Sequence, residues 1–569
     1  MLKKATVLTL FVLLILLLAN LFAQEGPTPL GETTLVDSSV YNGIYRGVQT
    51  QFFLEPTTGN MVVAWYRYFS ADAVNPRQIT AATSTDKGTT WKVHEQINNG
   101  VGAGMNARYP SVWGTSATPI VVYSDRNPEG SNQNSRPVFA TDILGWGGDF
   151  FNNTFVDNMD KADTVLYGRY LTAASASDNE NLIAVGSYHN AAPGEALYYY
   201  YSTDGGNTWN GPTVPATADT LEKSTANYVY DISSSGLGVA LGNNNTAFVS
   251  GLAKFTSDHT LWQVIYVTSD DGGATWDPVS LIPGTEDLNF VNNDTYFNFT
   301  SPLMDKDGNW HIFALGTDTT EDGGSFPQKY RAWDFVYNGS DWAINKFVFP
   351  ALIDNGLVAW GDYPPDEERR FCSTPSLGPD GTIYYVFTDV MDTTGAGGNV
   401  ANFNFHMRVV YSEDNGATWK GPVSILEDWD SPSVQGAARF ADDNLHIVFR
   451  DTLDNLYHMA VPTQTIKDLA TAIDDGVVSE LPQKFSLHQN FPNPFNPTTT
   501  IRFDLAAISH VKLTVYNALG QKVAQLVNKN MTAGFKGVVW DASNMPSGIY
   551  FYRLETDNYT ETKRMVLLK

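Results

Sequence analysis

A chain of 569 residues is long enough for more than one hydrophobic core, and its single cysteine, Cys372, excludes an intramolecular disulfide. The formal charge is −26, but residues 484–569 carry ten Lys or Arg against five Asp or Glu, and Lys3 and Lys4 add two more cations. The rest of the chain therefore carries about −33, which disfavours nucleic acid and anionic membrane as partners. With 13% aromatic residues, 47 Gly and 28 Pro, the composition indicates many short strands and tight turns.

Residues 1–23 have the layout of a secretory signal peptide. Lys3 and Lys4 precede an apolar run that continues through Leu18, and the segment ends in Ala23. Its apolar part is shorter than the ~20 residues of a membrane span, so we expect cleavage after Ala23, with an uncleaved anchor as the alternative.

Residues 24–462 are repetitive. A pattern of strand, turn and strand begins seven times, about 60 to 75 residues apart, near Val48, Tyr109, Tyr170, Leu237, Phe299, Cys372 and Gln435. This period predicts an all-β fold, a β-propeller of seven four-stranded blades. The seventh unit has only three strands, and residues 33–39 have no local partner, so we predict that they complete the last blade and close the ring.

The motif Ser-x-Asp-x-Gly-x-Thr-Trp occurs four times, each time after a strand rich in aromatic and β-branched residues. We call these motifs the repeated turns: residues 84–91, 202–209, 269–276 and 412–419. Their aspartates can accept hydrogen bonds from the turn itself, and their tryptophans can pack between sheets. We therefore predict structural roles for Asp86, Trp91, Asp204, Trp209, Asp271, Trp276, Asp414 and Trp419.

The repeated turns resemble the Asp-box (BNR) repeat of sialidase-like β-propellers. Sialidase propellers have six blades, so a six-bladed ring is the alternative architecture. The resemblance also implies a catalytic set that begins with Arg-Ile-Pro on the first blade. This chain has Tyr45-Arg46-Gly47-Val48 there, and no Tyr–Glu nucleophile pair can be assigned. We therefore expect a glycan-binding or protein-binding module, with an exo-sialidase or another glycan-active hydrolase or lyase as the alternative.

Four arginines lie close to the beginning of predicted innermost strands: Arg46, Arg108, Arg169 and Arg370. The innermost strands of a propeller face the central funnel, so these side chains could together bind the carboxylate or sulfate of an acidic glycan or surface protein. The alternative is that each arginine pairs with an aspartate of the neighbouring blade. His311, His446 and His458 share no metal-ligand spacing, so we expect neither metal nor cofactor.

Residues 463–481 contain the acidic pair Asp474 and Asp475 and show no apolar periodicity, which predicts a linker. A second domain follows at residues 482–569. Three prolines between 490 and 497 exclude a helix there, and alternating strands are predicted at 511–516, 538–540 and 549–554.

The C-terminal part closely resembles the type A sorting domain of the type IX secretion system. The resemblance is carried by Asn-Phe-Pro-Asn-Pro-Phe-Asn-Pro at 490–497, Tyr-Asn-Ala-Leu-Gly at 516–520, Gly-Ile-Tyr-Phe-Tyr-Arg at 548–553 and Lys-Arg-Met-Val-Leu-Leu-Lys at 563–569. It implies a seven-stranded β-sandwich, recognition by the type IX machinery, and export through the periplasm to the cell surface or the medium, with removal of the domain. We expect a monomer.

Overall fold

The computed structural model describes residues 28–38, 42–43, 52–68, 77–95, 97–98, 107–126, 135–149, 151–155, 172–175, 181–188, 196–213, 231–232, 237–242, 245–254, 263–283, 285, 288–289, 300–318, 331–348, 373–392, 404–429, 434–450, 455–472, 478–479, 484–490, 493–506, 509–531, 534–556 and 558–569. Within these ranges the chain forms forty β-strands and one α-helix. The predicted all-β class is confirmed.

Two short strands come first, β1 (Thr28–Pro29) and β2 (Glu32–Asp37). Sheet 1 follows with β3 (Asn42–Gly43), β4 (Phe52–Leu54), β5 (Met61–Tyr68), β6 (Arg77–Ser84) and β7 (Lys92–His94). Sheet 2 contains β8 (Arg108–Gly114), β9 (Pro119–Arg126), β10 (Ser135–Asp142) and β11 (Phe151–Phe155). Sheet 3 contains β12 (Thr172–Ser175), β13 (Leu182–Tyr188), β14 (Ala196–Ser202) and β15 (Asn210–Thr213).

Sheet 4 contains β16 (Asp231–Ile232), β17 (Gly238–Leu241), β18 (Ala247–Lys254), β19 (Gln263–Ser269) and β20 (Ser280–Leu281). Sheet 5 begins with β21 (Leu288–Asn289), β22 (Ser301–Met304), β23 (Trp310–Asp318), β24 (Arg331–Tyr337) and β25 (Trp342–Val348). Sheet 6 contains β26 (Ser373–Leu377), β27 (Ile383–Asp392), β28 (Asn404–Ser412) and β29 (Lys420–Trp429), and sheet 7 contains β30 (Val434–Ala437), β31 (Asn444–Arg450) and β32 (Leu456–Pro462).

The seven sheets are arranged around a common centre. Their innermost strands touch one another in sequence, in the order β4, β8, β12, β17, β22, β26, β30 and back to β4. Within each sheet the strands run outward from this centre in antiparallel order. This is the arrangement of a β-propeller. We call the region enclosed by the innermost strands the hub.

The N-terminal strands close the ring. Strand β2 pairs antiparallel with β32 from Glu32 opposite Ala460 onward, and so becomes the outermost strand of sheet 7. The prediction that this segment supplies the missing strand is confirmed. Strand β1 pairs with β29, so the N-terminal segment also extends sheet 6.

The repeated turns join each of their sheets to the preceding one. Trp209 of sheet 3 lies 5.1 Å from Phe139 of sheet 2, and Trp276 of sheet 4 lies 4.2 Å from Tyr199 of sheet 3, measured between ring centroids. Gly206 has a φ of 87°, and a Cβ added to it would lie 2.4 Å from the Phe139 ring. Glycine is therefore required both by backbone conformation and by the close approach of the neighbouring sheet.

Residues 463–472 differ from the sequence-based expectation, because they form helix α1 (Thr463–Ala472) rather than a linker. Ile466 and Ala470, four residues apart, are buried on one face against the core of sheets 6 and 7. Lys467 on the same helix lies 3.1 Å from both Asp380 and Glu413. The prediction missed the helix because two buried positions in ten residues give a weak periodic signal.

The C-terminal part packs as two sheets. Strands β34 (Ser486–Leu487), β35 (Thr498–Leu505) and β38 (Gly534–Asp541) form one sheet, and β36 (Ser509–Asn517), β37 (Lys522–Met531), β39 (Gly548–Glu555) and β40 (Thr560–Leu567) form the other. Ile501, Trp540, Val511 and Tyr552 contribute to one core between them. The result is a seven-stranded sandwich.

The sandwich is joined to the ring by strand pairing. Strand β25, at the outer edge of sheet 5, pairs antiparallel with β38 from Trp342 opposite Gly537 to Ile344 opposite Phe535. The short strand β33 (Val478–Ser479) pairs with the other end of β25. Lys529 of the sandwich forms an ion pair with Asp341 beside this seam. The two parts have separate cores but share a continuous sheet.

Candidate functional site in the hub

Three of the four arginines predicted to bind an acidic ligand, Arg46, Arg169 and Arg370, lie outside the described residues. Arg108 begins β8, as expected for a position at the start of an innermost strand, but its side chain is also outside the described part. The predicted arginine group therefore stays a prediction.

The aspartates of the repeated turns bind their own turns. Asp204 accepts hydrogen bonds from the Thr208 hydroxyl at 2.6 Å, the Thr208 amide at 2.9 Å and the Ser202 hydroxyl at 2.8 Å. The side-chain and backbone hydrogen bonds from Thr208 lower the pKa of Asp204, so the carboxylate stays ionised and bound. Asp86, Asp271 and Asp414 make the same contacts in their own turns.

A cavity of about 360 Å³ lies in the hub, at the ends of the innermost strands. Residues from sheets 1, 2, 4, 5, 6 and 7 line it, including the aromatic side chains Phe53, Trp113 and Phe440. Arg108 begins the same strand that Gly114 ends, and seven residues of strand span roughly 20 Å. The cavity and the Arg108 backbone therefore lie at opposite ends of β8.

Arg439 reaches into the hub from the residues after β30. Its guanidinium donates hydrogen bonds to the carbonyl oxygens of Val239 at 3.0 Å and Pro302 at 2.6 Å, which belong to sheets 4 and 5. It also lies 5.1 Å from the ring centroid of Trp113 in sheet 2. The side chain is 8% exposed and lines the cavity. One arginine thus contacts three sheets other than its own.

The charge of Arg439 has no ionic partner within the described residues. Its polar contacts there are the two neutral carbonyl groups, and burial lowers its pKa to about 9. A guanidinium carries five N–H donors, so two hydrogen bonds leave donors for a ligand.

Two carboxylates in the cavity wall are held by hairpin turns. Glu55 accepts hydrogen bonds from the amides and hydroxyls of Thr57 and Thr58, at 2.6–3.1 Å. Asp305 accepts from the amides of Asp307 and Asn309 at 2.9 and 2.8 Å, and from the Asn309 side chain at 2.8 Å. Both oxygens of each carboxylate are therefore engaged.

Sequence reasoning missed Arg439 because it considered arginines at the start of innermost strands, whereas Arg439 follows the end of one. A charged residue after the small residues Gly436, Ala437 and Ala438 in a repeated innermost strand is the signal that could have singled it out.

The three histidines are buried, and each has polar partners. His311 lies between Asp334, at 2.9 Å, and Asp305, at 3.4 Å. His446 contacts His458 at 3.0 Å and Asp442 at 3.0 Å. Among the residues that the structure describes, no three or more His, Cys, Asp or Glu are placed to hold a metal ion.

We predict that His311 makes stability depend on pH. Burial alone would lower its pKa, but the charge of Asp334 and the hydrogen bonds that the ring donates to both aspartates raise it to about 9. The stabilisation is complete below the unfolded pKa of about 6.5 and is lost as pH rises through about 9, roughly 3 kcal/mol in all. When the pH is raised from 6.5 to 9, the free energy of unfolding measured in urea should fall less in His311→Asn than in wild type. The exposed His510→Asn is the control, and equal pH dependence in wild type and His311→Asn would refute the assignment.

The chain consists of a ring of sheets followed by a β-sandwich, and the family of the sandwich is known. Residues 489–568 match the family model described as "Secretion system C-terminal sorting domain". The C-terminal sandwich is therefore a type IX sorting domain, and it implies secretion and attachment at the cell surface. The resemblance noted from the sequence is confirmed for this part of the chain.

No protein of curated function matches the chain. Among solved structures, an α-L-arabinanase of Penicillium chrysogenum complexed with arabinobiose is 13% identical, with a TM-score of 0.37, and the match covers 67% of this chain and 98% of that one. The endosialidase of phage phi92 is 11% identical, with a TM-score of 0.41, covering 76% and 69%. A protein of unknown function from Dyadobacter fermentans is 11% identical, with a TM-score of 0.35, covering 91% and 100%. At these TM-scores the fold assignment rests on the strand pairing described above.

In the described part of the chain, no helix has both the length and the apolar character needed to span a bilayer.

Proposed function

We propose that the chain is a cell-surface binding module for a glycan or a protein, built on a seven-bladed propeller and delivered by its sorting domain. Seven sheets whose innermost strands touch in a ring support the blade number. The hydrogen bonds and inter-sheet packing of the repeated turns support their assignment as Asp boxes. In this proposal residues 1–23 are removed on export, residues 24–462 form the propeller, and the protein is a monomer.

The observation that favours binding over hydrolysis is the state of the two carboxylates in the hub cavity. A glycosidase of the usual type needs a carboxyl pair, about 5.5 Å or about 6.5–9.5 Å apart, that is free to exchange protons or attack the sugar. Both oxygens of Glu55 and of Asp305 are instead engaged by hydrogen bonds from their own turns, and Asp305 also contacts His311. We therefore rank the binding module above an exo-sialidase or another glycan-active hydrolase or lyase.

A glycan array probed with the purified full-length chain, run beside a fluorogenic sialoside assay, tests this proposal. We expect retention on a subset of glycans and no release of fluorophore above the buffer rate. Release that scales with enzyme concentration would replace the binding proposal with the hydrolase. Retention on none of the glycans would restrict the proposal to a protein ligand.

The predicted arginine group can be tested separately. If Arg46, Arg169 and Arg370 converge on one anion, changing any one to alanine should weaken binding of an acidic glycan, and added salt should weaken it further. The melting temperature should stay unchanged. Arg553→Ala, at an exposed position in the sandwich, is the matched control. A lowered melting temperature with unaltered binding would instead mean that the arginines tether neighbouring blades.

A further inference from the structure

We infer that the hub cavity binds the carboxylate of a single sugar acid, with Arg439 as the residue that recognises it. This inference rests on the proposed function as a binding module, and it assigns a ligand class to a site built from other residues than the predicted arginine group.

The first argument is the electrostatic state of Arg439. A buried cation is costly unless it is paired, and the two carbonyl dipoles that Arg439 contacts offset only part of that cost. A carboxylate that enters the cavity would supply the missing charge through hydrogen bonds to the remaining N–H groups.

The second argument is that Arg439 is held in place before a ligand arrives. Its guanidinium is fixed by carbonyl groups of two sheets and by the Trp113 ring of a third. Little side-chain freedom would be lost on binding, so more of the interaction free energy would appear as affinity. A mobile surface arginine would not offer this advantage.

The third argument is the size and lining of the cavity. At about 360 Å³ it lies near the lower end of the range for small-molecule sites, roughly 300–1,000 Å³, which suits one sugar ring better than an extended chain. Among its aromatic lining residues, Phe440 is partly exposed and offers apolar surface to the C–H groups of such a ring.

The fourth argument concerns the other charges around the cavity. Glu55 and Asp305 face their own turns, so each is already hydrogen-bonded. Lys306 is exposed and also lines the cavity, so it adds a second cation there. A ring with a strongly negative total charge repels anions at long range, so attraction must come from such short-range contacts.

Isothermal titration of the full-length chain with D-glucuronate tests the inference. Glucuronamide, which has the same ring but no charge, is the matched ligand. We expect glucuronate to bind at least about tenfold more tightly than glucuronamide, and added salt to reduce the difference. Equal affinity for the two ligands would overturn the inference.

Arg439→Lys and Arg439→Met test the residue itself. Lysine keeps the charge but loses the planar donor set, so both variants should lose about tenfold or more in glucuronate affinity. Because Arg439 also bonds two sheets, these variants could unfold, and Lys306→Glu is the second test. It should weaken glucuronate binding several-fold without altering the fold, whereas the exposed Lys522→Glu in the sandwich should not. Wild-type affinity in a folded Arg439→Met or in Lys306→Glu would refute the site.

These outcomes separate the two proposals. If the chain is retained on array glycans but shows no preference for glucuronate, the hub site is wrong and the binding module stands. If the chain binds neither array glycans nor glucuronate, the hub site is wrong and the binding module is restricted to a protein ligand.

Discussion

A chain that ends at residue 482 is expected to fold but to remain in the periplasm instead of reaching the cell surface. Residues 489–568 carry the sorting domain, and their core is separate from the cores of the ring. The truncation keeps β33, so one end of β25 stays paired. Fractionation of a type IX-competent host into periplasm, surface and medium would measure the effect, which we expect to be complete.

The shared sheet adds a second expectation for the same truncation. Removing β38 uncovers part of the outer edge of β25, and an open strand edge favours pairing with other chains. The purified truncated chain should therefore self-associate more than the full-length chain in sedimentation analysis. A full-length Trp209→Ala chain is the control for delivery, because it weakens the ring and keeps the sorting domain. Equal delivery of truncated and full-length chains would contradict the role of the domain.

Replacing Trp209 with alanine should lower the free energy of unfolding by about 3–5 kcal/mol. The indole is 6% exposed, donates a hydrogen bond to the Gly206 carbonyl at 3.1 Å and packs against Phe139 of the preceding sheet. Its removal would leave a cavity between two sheets.

The urea midpoint of Trp209→Ala measures this loss, and two further variants calibrate it. Trp209→Phe keeps most of the apolar volume and should lose less. Trp276 is only half-buried, so Trp276→Ala should also lose less than Trp209→Ala, although it too contacts an aromatic ring of the preceding sheet, Tyr199. Wild-type midpoints for both alanine variants would refute the packing role.

The parts of the fold that the sequence predicted correctly have local or periodic signals. The repeated turns carry their whole hydrogen-bond network within eight residues, and the closing strand was evident because the last unit lacked a strand. Strand pairing between β25 and β38 had no such signal, because an unpaired edge can accept many partners. Helix α1 was missed because its buried face consists of Ile466 and Ala470 alone.

The candidate site could be predicted much less well than the fold. The guanidinium of Arg439 is positioned by Trp113, Val239 and Pro302. These residues are more than a hundred positions away in sequence and belong to three different sheets. No spacing rule links such residues. Glu55 poses the opposite problem, since only its observed hydrogen bonds show that it serves a turn.

Because β2 closes the ring, the first and last parts of the chain must both be present before the ring can be completed. Glu32 pairs with Ala460 and Thr28 pairs with Glu427, so the earliest strands to leave the ribosome find their partners only after nearly the whole ring has been synthesised. Pairings of such high contact order form slowly, because a long loop must close before any contact is gained. Until then β1 and β2 have no partner strands. The nascent chain therefore has a long interval in which a holding chaperone would protect it from aggregation.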